Sequence, residues 1–250
     1  MRKIVLSILI MSSFFSFAQK SEKKMKPSDT ELWEPKVNVV KPGVNNAAPS
    51  DAIVLFDGKD LSQWVSVKDS TAANWHLNKD GSMTVKNKAG DIRTKQSFGS
   101  VQLHIEWKSP SEVNGEGQSR GNSGIFLQSQ YEVQVLDNNN NATYVNGQVA
   151  SIYKQSVPLV HAAVETGGWN AYDIIYHAPE FDLGGNLTKQ ATITVLLNGV
   201  LVQDHFNILG PTVFIGHPKY SKHGKAPLKL QDHRDNSRVS YRNIWVRELE

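Results

Sequence analysis

The chain has 250 residues, of which 20% are charged and 39% hydrophobic, with a formal charge of +3 and no cysteine. Without cysteine it has no disulfide, thiolate nucleophile, zinc–sulfur site or lipid attached through sulfur. A charge this close to neutral excludes the usual basic, nucleic-acid-binding class of protein.

Arg2 and Lys3, an apolar run from Ile4 to Phe17 and the small-residue ending Ser16-Phe17-Ala18 predict a secretory leader over residues 1–18, cut after Ala18. The run falls short of the roughly 18–20 uninterrupted apolar residues a membrane span requires, so no span is expected in the mature chain. Losing Arg2 and Lys3 with the leader lowers the formal charge from +3 to +1. Residues 19–50 are lysine, proline, serine and asparagine with few large apolar side chains, and read as a flexible linker. A single domain is expected over 51–250, in an exported monomer that is periplasmic or extracellular.

The domain opens with Ile53-Val54-Leu55-Phe56, a short buried strand ended by the turn pair Asp57-Gly58. Trp64 and Trp75 follow as core plugs. Trp75-His76-Leu77 and Ser82-Met83-Thr84-Val85 flank Asn78-Lys79-Asp80-Gly81 as a hairpin. Val101 to Trp107 alternates, which places Val101, Leu103, Ile105 and Trp107 inward and Gln102, His104 and Glu106 in solvent. The polar loop Ser109 to Gly121 then delivers Arg120 and Asn122 to the next strand. In Tyr131 to Asp137, Glu132 and Gln134 share one parity while Tyr131, Val133 and Val135 share the other, so the strand turns a polar row away from the core. Trp169 to His177 is a strand with Tyr172, Ile174 and Tyr176 on one face. Asn198-Gly199 joins Ala191–Leu197 to Val200–Asp204 in a hairpin with a type I′ turn. The glycine-, proline- and histidine-bearing loop 210–226 is long enough to cover a cleft, and strands at 228–233 and 239–247 close the chain. No segment of ten residues carries helical spacing. The fold class predicted is all-β: a two-sheet antiparallel sandwich, a jelly roll.

The polar row suits a polyhydroxylated ligand. Glu132, Gln134 and Asp137 are spaced Glu-x-Gln-x-x-Asp, and the third reaches the face of the first two only if a bulge turns it back. This resembles the Glu-x-Asp-x-x-Glu strand of laminarinase-like glycoside hydrolases, which share the concanavalin A-like jelly roll. Here an amide replaces the middle acid, whereas retaining hydrolysis needs two carboxyl groups about 5–5.5 Å apart. Asp137 with Asp232 or Glu132 has the oxygen ligands that calcium uses, yet matches no dedicated calcium loop, so a divalent cation stays open and no other cofactor is expected.

Five motifs occur in order: Asn122-Ser123-Gly124-Ile125-Phe126, Tyr131 to Asp137, Trp169-Asn170-x-Tyr172, Leu197-Asn198-Gly199-Val200 and Leu230-Gln231-Asp232-His233. Together, from about Ile53 to the C-terminus, they resemble the 3-keto-disaccharide hydrolase family, long known as a domain of unknown function in secreted bacterial proteins. The family commonly has glycine after the Ile-Tyr pair and a double proline soon after, where this chain has Ile152-Tyr153-Lys154 and the single Pro158. The resemblance implies cleavage of small glycosides already oxidised to a ketone at C3. That ketone acidifies the C2 proton, and the glycosidic oxygen on C1 is β to the carbonyl. One base, donors at the enolate oxygen and a proton for the leaving group then suffice, with no matched carboxylate pair.

Glu132 is the expected base, with His233 as its rival and as proton donor to the departing oxygen, since imidazole titrates near neutral pH. Arg120 and Gln134 are expected at the ketone or enolate oxygen. Asn122, Tyr153, Trp169, Asn170 and Gln231 would line the sugar site, while Asp232 would orient His233 or bind a cation. The bland readings stay open: Glu132 as a salt-bridge partner, Trp169 as core. Two other functions compete, a lectin-like carbohydrate-binding module and a laminarinase-type endo-glycanase.

Overall fold

A computed structural model describes residues 24–249. The expected leader lies outside the described residues. Residues 24–39 belong to one compact unit and the residues from Val40 onward to another. The first holds one 3-10 turn, Pro27–Thr30; the second carries the fold.

Its strands are β1 (Ile53–Phe56), β2 (Trp64–Ser66), β3 (His76–Leu77), β4 (Met83–Thr84), β5 (Ile92–Phe98), β6 (Val101–Lys108), β7 (Ser123–Leu127) and β8 (Tyr131–Val135). They continue as β9 (Asn170–His177), β10 (Glu180–Phe181), β11 (Leu187–Lys189), β12 (Thr192–Leu197), β13 (Val200–Asn207), β14 (Ala226–Leu230) and β15 (Ser240–Glu248). Eight form one sheet in the order β13-β12-β9-β6-β15-β4-β3, with β1 also paired to β15. Five form the other, in the order β2-β5-β14-β7-β8, and β10 and β11 make a separate hairpin. The pairings are antiparallel, which gives the expected jelly-roll sandwich.

The alternation in each strand explains the core. Leu103, Ile105 and Trp107 of β6, Tyr172, Ile174 and Tyr176 of β9, and Val133 and Val135 of β8 are at most 1% exposed. Each such side chain stabilises the sandwich by roughly 1.5–3 kcal/mol. Three tyrosines tie the sheets across this core. Tyr172 Oη donates to the Gln134 carbonyl at 2.8 Å, Tyr176 Oη to Gln128 Oε1 at 2.7 Å and Tyr241 Oη to Ser123 Oγ at 2.7 Å. The Asn198-Gly199 turn has φ of 54° and 78°, the positive pair its type I′ geometry requires. Trp64 and Trp75 are buried as plugs.

Three features depart from the sequence reading. β5 is a strand the pattern did not reveal, because Gln96 stands at the parity of the buried Ile92, Thr94 and Phe98 and breaks the alternation. His104 is only 1% exposed, with Nδ1 2.7 Å from Asp173 Oδ1 and its ring stacked on Trp245, and Glu106, also expected in solvent, is 8% exposed and accepts from Arg242 and Asn243. A register shift in β15 between Arg242 and Trp245 lets Asn243 and Trp245 cover what parity alone would leave in solvent. Segment 41–50, read as linker, is tied to β15: the Asn46 carbonyl accepts Asn243 Nδ2 and Trp245 Nε1, each at 3.0 Å.

Candidate active site

β7 and β8 carry the site. Their pairing is regular, with Gly124 opposite Gln134 and Phe126 opposite Glu132, so these four positions form one patch on the face turned away from the core. The patch is nevertheless buried, Glu132 at 5% and Gln134 at 1% exposure. Two loops cover it. The chain at 148–156 extends the edge beyond β8, with Gln134 N–H donating to the Ser151 carbonyl at 3.0 Å and Tyr153 N–H to the Glu132 carbonyl at 3.3 Å. The loop after β13 reaches the same edge of β8, where Thr212 Oγ1 accepts the Glu132 N–H at 3.0 Å. A cavity of about 690 Å³ remains beneath them.

Six of the expected residues line this cavity: Asn122, Glu132, Gln134, Tyr153, Gln231 and His233. The Glu132 carboxyl accepts no hydrogen bond among the described residues. Burial pushes its pKa up to about 8; the Lys229 ammonium pulls it down and Asp91 pushes it further up. A carboxyl so placed loses its proton only around neutral to mildly alkaline pH, and then as an unsolvated, strongly basic carboxylate. Lys229 lies over the Phe126 ring, 3.6 Å from its centroid, and 3.3 Å from Asp91 Oδ2. Replacing Lys229 with methionine frees Asp91 and removes the cation, so the alkaline-going limb of the pH–rate profile is expected to shift to higher pH. An acid shift in the titration of Glu132, followed by carboxyl-carbon NMR, would contradict this.

His233 stands just past the end of β14. Its Nδ1 is 2.7 Å from Asp235 Oδ2, which fixes the proton on that nitrogen and leaves Nε2 toward Asn122, whose Nδ2 is 3.4 Å away. The buried Oε1 atoms of Gln134 and Gln231 have no hydrogen-bond partner among the described residues. Gln134 Nε2 is already engaged by Gln118 Oε1 at 3.1 Å and the Gly147 carbonyl at 3.2 Å. Gln134 therefore presents an acceptor, suited to a substrate hydroxyl, and not the donor expected for an enolate oxygen.

Four expected residues lie elsewhere. Arg120 Nε donates to Asp137 Oδ2 at 2.9 Å and its Nη2 to the Asn139 carbonyl at 2.8 Å, in a separate small cleft, so neither Arg120 nor Asp137 reaches Glu132. No bulge turns Asp137 back, since β8 ends at Val135 with unbroken register. Asp232 does not orient His233, as Asp235 does that. Instead Asp232 accepts the backbone N–H groups of Gly90 and Arg234 at 3.0 and 2.9 Å. Trp169 and Asn170 border a polar cleft on the eight-stranded sheet. There Arg242 lies over the indole, 4.1 Å from its centroid, and Asn170 Oδ1 accepts from Val164 N–H and Asn198 Nδ2. Among the described residues no cluster of three or more His, Asp or Glu side chains is arranged to hold a metal ion.

The sequence reading missed Gln118, Phe126, Tyr144, Lys154, Thr212 and Phe214, which also line the cavity. Parity would have found Phe126, two positions from Gly124. The others sit on loops whose destination no local pattern sets. Lys154 is held at φ 59°, a conformation that glycine adopts freely and lysine does not.

Comparison with known proteins agrees with this fold. Residues 51–247 match the family described as 3-keto-alpha-glucoside-1,2-lyase-like domain. A candidate glycosyl hydrolase of Parabacteroides distasonis, known from a crystal structure, is 55% identical over 90% of this chain and 97% of its own, with a TM-score of 0.86. A second from the same organism has 18% identity, covers 80% of this chain and 94% of its own, and has a TM-score of 0.58. A third has 21% identity, 79% and 99% coverage and a TM-score of 0.52. The last two share the fold. No curated protein matches the chain.

Proposed function

The chain belongs to the 3-keto-alpha-glucoside-1,2-lyase-like domain family, and from that premise we propose that it cleaves 3-keto-glycosides by removing the C2 proton. The observation that carries the proposal is Glu132: a buried carboxyl without hydrogen-bond partners among the described residues, facing a cavity it shares with His233.

The Glu132 carboxylate takes the C2 proton, and the C–H electron pair becomes an enolate on C2, C3 and the ketone oxygen. When the enolate collapses, the ketone re-forms, C1 and C2 become doubly bonded and the C1–O pair leaves with the aglycone oxygen. His233, entering the step as the imidazolium paired with Asp235, gives its Nε2 proton to that oxygen and takes one back from the water that adds next. Addition of water, hydroxyl to C1 and hydrogen to C2, then makes the net result hydrolysis. The partnerless Oε1 atoms of Gln134 and Gln231 would accept from sugar hydroxyls. This route uses a single carboxyl in the cavity, in keeping with Asp137 being held by Arg120. The leader read from residues 1–18 would place the activity outside the cytoplasm.

The test is turnover of a 3-keto-glucoside in deuterated water. Deuterium is expected at C2 of the product, at a rate above that of an enzyme-free control and of Glu132→Gln. Products carrying only protium at C2 would rule out the enolate.

A lectin-like role would instead need tight binding of an unoxidised glycan, and an unsolvated carboxyl poised to titrate is a poor means of holding neutral hydroxyls.

A further inference from the structure

The cavity gathers two chemically distinct sets of side chains. Around Glu132 stand amides: Asn122, Gln134, Gln231 and Gln118, with His233 beside them. Every hydroxyl of a bound sugar must find a hydrogen-bond partner to offset its lost hydration, and here two buried amide oxygens stand without one. This set can satisfy one sugar ring.

The other set is aromatic. Tyr144 and Tyr153 stand edge to face, with ring centroids 6.2 Å apart, and their hydroxyls bond each other at 2.6 Å. Lys154 donates from Nζ to the Phe214 carbonyl at 2.7 Å, and the ammonium lies 4.2 Å from the Phe214 ring centroid and 5.6 Å from each tyrosine centroid. The two hydroxyls thus engage each other and one of the three ammonium hydrogens is used, so this set offers a ligand ring surface beside a cation. Phe214 is 71% exposed, an apolar surface at the cavity mouth that a flat apolar ligand would take out of water. A volume of about 690 Å³ lies in the range that holds a drug-sized molecule, more than one hexose fills.

We propose that the group this site splits from the oxidised sugar is aromatic, a phenol-type aglycone seated among Tyr144, Tyr153 and Phe214, and not a second sugar. The inference rests on the elimination proposed above. In that step the C1–O electron pair moves onto the aglycone oxygen, so charge develops on a phenoxide until His233 protonates it. Lys154 is the cation at that end, close enough to the rings to favour an electron-rich partner stacked among them. Its φ of 59° is a strained backbone state for a lysine, and such states persist where the side chain is needed at that place.

The experiment is calorimetric titration of the Glu132→Gln protein with methyl 3-keto-glucoside, phenyl 3-keto-glucoside and a 3-keto-disaccharide, with turnover of all three measured on the wild type. The phenyl glycoside is expected to bind at least ~10-fold more tightly than the other two. Adding Phe214→Ala is expected to reduce the phenyl-to-methyl affinity ratio ~5-fold or more. Adding Lys154→Gly, which relieves the backbone strain and so folds readily, is expected to reduce the same ratio. Disaccharide binding as tight as that of the phenyl compound, or a ratio unmoved by both substitutions, would overturn the aromatic aglycone while the elimination stands. If the wild type turns over none of the three and the variant binds none, the elimination fails and the aglycone with it.

Discussion

Replacing Glu132 with glutamine is expected to lower kcat/KM on a 3-keto-glucoside by ~10³-fold or more and to leave the fold intact. Glutamine keeps the shape of the side chain and loses only the ability to take a proton. The carboxyl accepts no hydrogen bond among the described residues, so the substitution breaks no native tie. In the wild type, the ascending limb of kcat/KM should lie near pH 8, because the base is the ionised form, while any descending limb belongs to the group that protonates the leaving oxygen. Stability should move the other way. The folded chain keeps the Glu132 proton up to about 8, while the unfolded chain releases it near the ordinary value of 4.5. Between those two values the unfolded state binds fewer protons, so stability falls as pH rises. Glu132→Gln removes this contribution, and the variant should exceed the wild type at pH 9 by on the order of 1–3 kcal/mol, with little difference at pH 5. Activity within tenfold of wild type, or melting curves that part at low pH instead, would remove Glu132 from the role of base.

Substituting alanine for Gly124 is expected to cost about 1–2 kcal/mol of stability yet lower kcat/KM by ~10²-fold or more. A Cβ at this position would stand 2.3 Å from Glu132 Oε1 and 2.6 Å from Phe126 Cε2, so both side chains must move aside. The backbone of β7 is extended there and tolerates alanine, so the strand itself survives. What shifts is the carboxyl, and displacing a reacting group by about 1 Å is enough for a loss of that size. Steady-state kinetics beside a thermal melt separates the two effects. A variant that melts earlier but turns over at the wild-type rate would mean that the position of the Glu132 carboxyl is not decisive.

The polar row of β8 was legible because period-two alternation needs no knowledge of partners: once Val133 and Val135 face the core, Glu132 and Gln134 must face away. The same rule misread His104, since what covers a sheet face is decided by a bulge in β15 and a loop some 60 residues upstream. Arg120, Asp232 and Asn170 are polar residues in the right motifs, yet each has its hydrogen-bonding atoms engaged by neighbours remote in the chain: Arg120 by Asp137, Asp232 by Gly90, Asn170 by Asn198. Side-chain type announced that they could bind a sugar. Only the fold showed that they were already bound to something else. Tyr144, Lys154 and Phe214 are the converse, loop residues without a local signature that two chain reversals bring together around one ammonium group.

By itself the sequence determined a cysteine-free two-sheet sandwich, the strand that carries Glu132 and the face it turns outward, because hydrophobic burial is local in pattern and needs only alternation to express itself. The tertiary structure decided that this outward face lies inside a cavity, that Asp235 and not Asp232 holds His233, and that aromatic rings crowd one side of the site. Those outcomes depend on which loop reaches which side chain. Hydrogen bonds and ring contacts act over a few ångströms, between residues that in this chain stand as many as 199 positions apart.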